Sequence, residues 1–165
     1  MTKANFHKLP VDIWCDDNDL MPERATKGSS GWDLKAAEET VVGPNETVLI
    51  RTGITIKMPW GWEAQIRSRS GLSKLGITVA NSPGTIDNDY TGEICVLIRN
   101  SVNWESDSVD KDSLKRSSQV YRIKKGDRIA QMTFNEVPAV EFIRRLSMGP
   151  AATERNAKGF GSTGV

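Results

Sequence analysis

The stretch from residue 47 to residue 67, TVLIRTGITIKMPWGWEAQIR, carries the pattern that decides the fold. It contains three runs rich in branched and aromatic residues, at residues 47–51, 54–58 and 62–67, and turn residues at 59–61 separate the last two. Short runs of this kind, bounded by Gly and Pro, are typical of β-strands. We therefore predict three consecutive strands here.

The same pattern continues outward in both directions. Further strands are predicted at residues 11–15, 77–80, 94–99, 120–124, 128–134 and 140–145. No segment repeats its apolar residues at the helical period over three turns, so we expect at most a short helix after Ser70, across residues 71–75. Many short strands with turns between them indicate an all-β sandwich, barrel or jelly roll.

The predicted strand around residues 94–98 departs from simple alternation, because every residue of ICVLI is apolar. Both faces of such a strand need to be covered. One face would pack in the core, and the other would pack against a neighbouring subunit or a second sheet of the same chain. The sequence leaves both possibilities open.

The composition excludes several classes of protein. The chain has 165 residues, with 22 Lys and Arg against 21 Asp and Glu, which fits one domain of balanced charge. A protein that binds nucleic acid by neutralising many phosphates carries a larger positive excess. No apolar run approaches the roughly 18 residues of a membrane span, and the N-terminus lacks the apolar segment of a signal peptide. We expect a soluble, cytoplasmic protein with no direct nucleic-acid partner and no membrane partner.

The chain has too few cysteine and histidine residues for a disulfide scaffold, a zinc site or a histidine-based catalytic triad. Cys15 and Cys95 cannot make a disulfide scaffold, and the single histidine, His7, rules out a His/Cys zinc cluster. If the chain is an enzyme, its chemistry must come from carboxylates, Arg, Ser and Gln, with any metal held by the substrate.

Two polar segments interrupt the strand pattern. Residues 100–119 form a polar stretch longer than most structureless loops, and the tail from residue 147 is rich in Gly, Ala, Ser and Thr. We predict a β domain over residues 1–146 with a polar insert at about 100–119, followed by a flexible C-terminal arm over 147–165.

Three motifs contain residues suited to nucleotide chemistry, and each is ambiguous alone. Arg69, Ser70 and Gly71 offer donors that suit phosphate oxygens, but they also fit a solvated polar loop. The predicted hairpin over residues 81–90 carries an amide at Asn81 and a carboxylate at Asp87, but it also fits a turn that caps its own backbone. The Gly-rich tail fits either a phosphate cradle or a disordered linker.

Five motifs taken together are more specific. They occur in the order GWDLKA at 31–36, RSGL at 69–72, GTIDNDYTGE at 84–93, GDRIAQ at 126–131 and GFGSTG at 159–164. This set resembles the trimeric deoxyuridine triphosphate nucleotidohydrolases (dUTPases), over residues 25 to 165 apart from the polar insert. The length of that insert makes the chain similar to the phage members of the family.

The resemblance implies a jelly-roll-like distorted β-barrel and a homotrimer with shared active sites. It implies hydrolysis of dUTP to dUMP and pyrophosphate, with Mg²⁺ bound mainly through the substrate triphosphate. This reaction limits uracil incorporation into DNA and supplies dUMP for dTMP synthesis. The location implied is the cytoplasm, or the host cytoplasm if a phage encodes the chain.

The resemblance also assigns roles to individual residues. Asp87 would activate the attacking water, and Tyr90 would pack under the deoxyribose. The uracil edge would be read by the hairpin, through Asn81, Gly84 and Ile86. The phosphate chain would be bound by Arg69, Ser70, Gly71 and Gln131. Asp33 would touch the metal through its water shell. The C-terminal arm would add Phe160 on the uracil ring and, around the γ-phosphate, Arg155, Gly161, Ser162 and Thr163.

Two alternatives remain from the sequence. The first is a nucleotide-sensing regulatory module on the same fold, and a regulatory protein partner could bind through the 100–119 insert. The second is a dCTP deaminase, but related deaminases place a catalytic Glu where this chain has Leu97, and they lack the tyrosine found here at Tyr90.

Overall fold

A computed structural model of the chain describes residues 8–102 and 120–146. These ranges contain eleven β-strands, one 3-10 turn at Asn18–Leu20 and one short helix, α1, at Ser70–Ser73. The strands in chain order are β1 Asp12–Cys15, β2 Trp32–Lys35, β3 Thr40–Val42, β4 Thr47–Arg51, β5 Ile54–Lys57, β6 Trp62–Arg67, β7 Ile77–Val79, β8 Gly84–Ile86, β9 Cys95–Asn100, β10 Tyr121–Ile123 and β11 Arg128–Glu136.

In the described residues all strand pairs are antiparallel, and they form four small sheets around one core. The sheets have the orders β1-β5, β10-β3, β2-β11-β6-β8 and β4-β9-β7. The core consists almost entirely of aliphatic side chains, and its largest fully buried members are Leu34, Ile50, Ile54, Ile77, Ile94, Ile98, Ile123 and Ile129. The predicted all-β, jelly-roll-like distorted barrel is confirmed.

The strand that is apolar on both faces lies at the centre of its sheet, between β4 and β7. Val96 and Ile98 point into the core and are fully buried. Cys95 and Leu97 point the opposite way and are only half-buried, and Leu49, which pairs with Leu97, is 58% exposed. In the described residues this outer face of β4 and β9 is therefore apolar and only partly covered.

Most predicted strands are confirmed within one or two residues, but the strand predicted at residues 140–145 is wrong. This segment follows β11 without pairing to any strand of the described ranges. Phe142 is 95% exposed and Leu146 is 97% exposed. An isolated extended segment has no ladder of hydrogen bonds to hold it as a strand, whatever its β propensity.

Three short strands, β2, β3 and β8, were not predicted as strands, although the segment containing β8 was predicted to form a hairpin. The structure also moves the start of the polar insert. Asn100 belongs to β9 and is buried, with its Nδ2 donating to Val42 O (3.2 Å) and its Oδ1 accepting from Val102 N (3.2 Å). The rest of the insert, from residue 103 to 119, lies outside the described residues. Within the described ranges no helix is long and apolar enough to cross a membrane.

Candidate active site

The segment after β6 is fixed by the side chain and the carbonyl of Ser68. Ser68 Oγ accepts a hydrogen bond from Val79 N on β7 (2.9 Å), so the turn into α1 is attached to the neighbouring sheet. The carbonyl oxygen of Ser68 accepts from Gln131 Nε2 (3.0 Å). These bonds bring Arg69 and Ser70, at the start of α1, beside Gln131 on β11.

Asp33 holds two arginine side chains at the same place. β2 pairs with β11 so that Asp33 lies opposite Gln131. Asp33 Oδ1 accepts from Arg69 Nε at 2.8 Å, and Oδ2 accepts from Arg128 Nη1 at 3.3 Å. Arg69 Nη1 also donates to the carbonyl oxygen of Arg128 (3.0 Å). The Asp33 side chain is only 14% exposed, so its charge fixes the Arg69 guanidinium in one orientation.

These residues surround a cavity of about 350 Å³. Its lining comprises Ala25, Ser29, Ser30, Gly31, Asp33, Arg69, Ser70, Gly71 and Gln131. In the part of the chain that the structure describes, nothing lies within 4 Å of the position that a Cβ on Gly71 would occupy, so a ligand can approach the backbone there closely. A guanidinium, hydroxyls, an amide and open backbone suit an anion with several oxygens, such as a phosphate chain.

Sequence reasoning found five of these lining residues and missed others. Ser29 and Ser30 were missed, although they directly precede the 31–36 motif. Arg128 was also missed, although it lies in the same motif as Gln131 and contacts Asp33. Its place in that motif was the signal that could have identified it.

The hairpin predicted over residues 81–90 is wrong, because in the described residues β8 pairs with β6 and with neither of its neighbours in sequence, β7 and β9. β8 pairs with β6 through Gly84 opposite Ile66 and Ile86 opposite Ala64. The Asn81 amide lies against Gly84, since a Cβ on Gly84 would stand 3.0 Å from Asn81 Nδ2. Asp87 is exposed at the end of β8, and Tyr90 is 45% exposed. β8 and the residues on either side of it thus carry the side chains that the resemblance assigned to the base, the sugar and the attacking water.

The described cavity includes only the first group of residues. None of Asn81, Gly84, Ile86, Asp87 and Tyr90 is in its lining. Along β6, Gln131 pairs with Arg67, whereas the ladder with β8 ends where Ile86 pairs with Ala64. Asp87 is the next residue after Ile86, so four residues of extended strand, roughly 14 Å, separate its level along β6 from that of Gln131. One chain therefore presents a phosphate half-site, defined as Asp33, Arg69, Ser70, Gly71 and Gln131, and a separate β8 half-site, defined as Asn81, Gly84, Ile86, Asp87 and Tyr90.

The predicted arm residues Arg155, Phe160, Gly161, Ser162 and Thr163 lie outside the described residues. Their assignments stay predictions.

The described lining of the cavity has a single carboxylate, which fits contact with a metal that a bound ligand carries. In residues 8–102 and 120–146 no three His, Cys, Asp or Glu side chains are grouped as a metal site. Asp33 is the one carboxylate in the cavity lining, and both of its oxygens accept from arginines. Such a site can contact a metal's water shell but cannot hold the ion by itself.

Comparison with known proteins identifies close relatives. The sequence model of the dUTPase family matches residues 17–106. The chain is 43% identical to a deoxyuridine 5'-triphosphate nucleotidohydrolase of Nautilia profundicola over 146 residues, which cover 88% of this chain and 91% of that one. It is 46% identical to the Hydrogenobaculum sp. protein of the same name over 147 residues, covering 88% and 90%.

The solved structure of the Staphylococcus bacteriophage 80alpha dUTPase with dUPNHPP superposes on the chain with a TM-score of 0.78. It is 27% identical and covers 94% of this chain and 99% of its own. That phage protein is described as controlling the transfer of virulence genes.

The contact between Gly31 and Gln131 generates a prediction. A Cβ on Gly31 would overlap Gln131 Oε1 and stand 3.2 Å from Gln131 Cβ and Cδ. Gly31→Ala should push the Gln131 amide away from Ser68 and weaken binding of inorganic pyrophosphate in the cavity by about tenfold, as expected for loss of one hydrogen bond to a charged ligand. Isothermal titration calorimetry measures this affinity.

Gly28→Ala is the matched control, because nothing lies within 4 Å of its added Cβ. Its affinity for pyrophosphate should equal that of the wild-type protein. Equal affinities for all three proteins would contradict the role given to Gln131.

Proposed function

The chain belongs to the dUTPase family and hydrolyses dUTP to dUMP and pyrophosphate, and we propose that each of its active sites combines half-sites from two different copies of the chain in a homotrimer. The observation that carries this proposal is the separation of roughly 14 Å along β6 between the level of Asp87 and that of Gln131. Water activated by a carboxylate must attack the same α-phosphorus that the phosphate half-site holds. One copy of the chain cannot supply both groups to a single nucleotide.

In this proposal the phosphate half-site binds the triphosphate. Arg69, already oriented by Asp33, presents its remaining N–H groups to the phosphate oxygens, together with the Ser70 hydroxyl and the Gly71 amide. Gln131, held by Ser68, bonds near the α-phosphate. Phosphoryl transfer depends mainly on positioning and charge stabilisation, so donors fixed before the substrate arrives contribute most.

The β8 half-site of a second copy supplies specificity and the attacking water. Asp87 orients a water in line with the α-phosphorus and accepts its proton. Asn81 and the backbone at Gly84 and Ile86 read the uracil edge, with too little room for the methyl group of thymine. Tyr90 packs under the deoxyribose and collides with a ribose 2′-hydroxyl.

Mg²⁺ is the metal that fits this site, since it binds through substrate phosphates with few protein ligands. When bound, it neutralises charge that develops on the phosphate oxygens. Asp33 is the residue that would reach its water shell, while its two arginine partners keep the carboxylate in place.

Three features of the chain support its association with further copies. On the outer face of β4 and β9, the side chains of Leu49 and Leu97 are only partly covered. The unpaired segment at residues 140–146 exposes four large apolar side chains. Thr133 Oγ1 and Asn135 Nδ2 are buried without hydrogen-bond partners in the described part of the chain, and both lie on the face of β11 that also carries Gln131. Neighbouring copies would cover the apolar groups and give the polar ones partners.

The arm over residues 147–165 is proposed to close over this shared site. Phe160 would stack on the uracil, and Arg155, Gly161, Ser162 and Thr163 would bind the γ-phosphate. Closure over the triphosphate would exclude water other than the attacking molecule. The division into a β domain over residues 1–146 and this arm belongs to the same proposal.

Pyrophosphate release with Mg²⁺ from dUTP, dCTP, dTTP and UTP in parallel tests the function. Release from dUTP alone is expected, because the base and the sugar are both selected. Release of ammonia from dCTP would favour the deaminase alternative. Leu97, in the middle of β9, argues against that alternative, because related deaminases have their catalytic Glu at this position. Binding of dUTP without any release would favour the regulatory module.

Asp87→Asn is expected to reduce kcat for dUTP at least a thousandfold, about the contribution of a general base with its positioned water. The dissociation constant for dUTP should stay within about tenfold of wild type, because the phosphate donors are unchanged. Turnover assays and calorimetry measure the two quantities. A large loss of affinity would instead give Asp87 a binding role.

Deletion of residues 159–165 is expected to remove most of kcat, since the arm then cannot close. Its folding control is the thermal unfolding temperature, which should not change. An unchanged rate in the shortened chain would contradict the closing role of the arm.

A regulatory partner is a second candidate function, favoured by the likeness to the phage 80alpha dUTPase and by the polar insert at about 100–119. Both activities are proposed to occur in the cytoplasm, or in the host cytoplasm if a phage encodes the chain. A partner that binds equally well to the chain without residues 103–119 would remove this role from the insert.

A further inference from the structure

Glu93 ends the loop that carries Asp87 and Tyr90, and none of the roles above uses it. Its carboxylate turns back to the connection between β4 and β5. Glu93 Oε1 accepts from Gly53 N at 2.7 Å, and Oε2 accepts from Arg51 Nε at 2.9 Å. The Glu93 side chain is 25% exposed, and that of Arg51 is 60% exposed. The hydrogen bond that Arg51 donates to Glu93 raises the pKa of Arg51, so the two charges stabilise each other.

The backbone next to Glu93 is held by the same connection. Ile94 N donates to the carbonyl oxygen of Ile54 (2.8 Å). The fully buried Thr52 donates its hydroxyl to the carbonyl oxygen of Ile94 (2.6 Å). Residues 51–54 thus hold the end of the loop at three groups. These are the Glu93 carboxylate, the Ile94 N–H and the Ile94 carbonyl.

The other side of Glu93 faces Tyr90. The Glu93 carbonyl oxygen accepts from Tyr90 Oη at 2.9 Å. The Tyr90 ring lies directly against Gly92, since a Cβ there would stand 2.6 Å from Tyr90 Cζ and 3.1 Å from Cε2. Because Tyr90 is 45% exposed, packing alone does not fix its ring. The bond to the Glu93 carbonyl also holds it, and that carbonyl is held in turn by the Glu93 carboxylate on one side and by the Ile94 N–H of the same peptide unit on the other.

We propose that Glu93 is a positioning residue for Tyr90 and thereby sets how strongly the enzyme prefers deoxyribose to ribose. The inference rests on the proposed function, in which Tyr90 packs against the sugar. A ring can exclude a 2′-hydroxyl only if it cannot move aside. A wall of this kind needs a second layer of bonds to hold it within a fraction of an ångström. Here that layer runs from Tyr90 through Glu93 to Gly53 and Arg51.

The experiment compares kcat/KM for dUTP with kcat/KM for UTP and uses their ratio as the readout. Glu93→Ala should lower the ratio by about tenfold, mainly through faster use of UTP, as expected when a steric discrimination is relaxed. Glu93→Gln keeps an acceptor for Gly53 N and should retain most of the ratio. Glu93→Asp moves both oxygens away from their donors but keeps the charge, so it should also lower the ratio. It takes the place of the alanine variant if that variant does not fold.

Two further variants separate positioning from stability. Ile123→Val removes one methylene group from the core, away from the loop, and should lower the unfolding temperature without changing the ratio. Tyr90→Phe removes the hydroxyl that Glu93 holds and should lower the ratio. Adding Glu93→Ala to Tyr90→Phe should then change the ratio little, because both act through the same bond.

Ratios within twofold of wild type in Glu93→Ala or Glu93→Asp would overturn the assignment, and so would an equal loss in Ile123→Val. A wild-type enzyme that uses dUTP and UTP equally would overturn a different claim, the role of Tyr90 in the proposed function. The two failures are therefore distinguishable.

Discussion

The antiparallel pairing of β6 with β11 on one side and with β8 on the other fixes where every functional side chain lies. Side chains alternate along a strand, so a shift of one residue would move Gln131 into the core and Met132 into the cavity. The register with β11 aligns Gln131 with Arg67, next to the turn that carries Arg69. The register with β8 sends Asp87 toward the opposite end of the same strand. The two half-sites and their separation both follow from this pairing.

Each half-site is organised by bonds formed before any nucleotide binds. In the phosphate half-site Asp33 accepts from both Arg69 and Arg128. The two guanidinium groups are therefore already oriented, and the substrate does not have to order them when it binds. In the β8 half-site Tyr90 is held by its own loop, and that loop is attached to the β4–β5 connection. Fixed donors and walls of this kind suit a reaction in which positioning and charge stabilisation do most of the catalytic work.

The sequence predicted the fold well where strand pattern and turn residues agree, as between residues 47 and 67. The sequence-based prediction failed where the pairing of a segment with a distant strand decides whether it forms a strand. The strand β2, with sequence WDLK, has little strand character of its own and exists because it pairs with β11. The segment at 140–145 has the opposite problem, since its pattern favours a strand but the described chain offers it no partner. The motif set identified the residues of both half-sites. It could not predict the pairing of Asp33 with two arginines, which depends on three elements distant in sequence, nor the distance between Asp87 and Gln131.

Subunit mixing tests the shared site most directly. Asp87→Asn inactivates the β8 half-site and Arg69→Ala the phosphate half-site, so each variant alone should be nearly inactive. In a trimer that contains both variants, one of the three sites, or about a third, should combine an intact Asp87 with an intact Arg69 from different copies, because each copy shares sites with both of its neighbours in cyclic order. The account predicts that activity toward dUTP returns to about that fraction of wild type. Mixed trimers, isolated by two different affinity tags, that stay as inactive as either parent would contradict it.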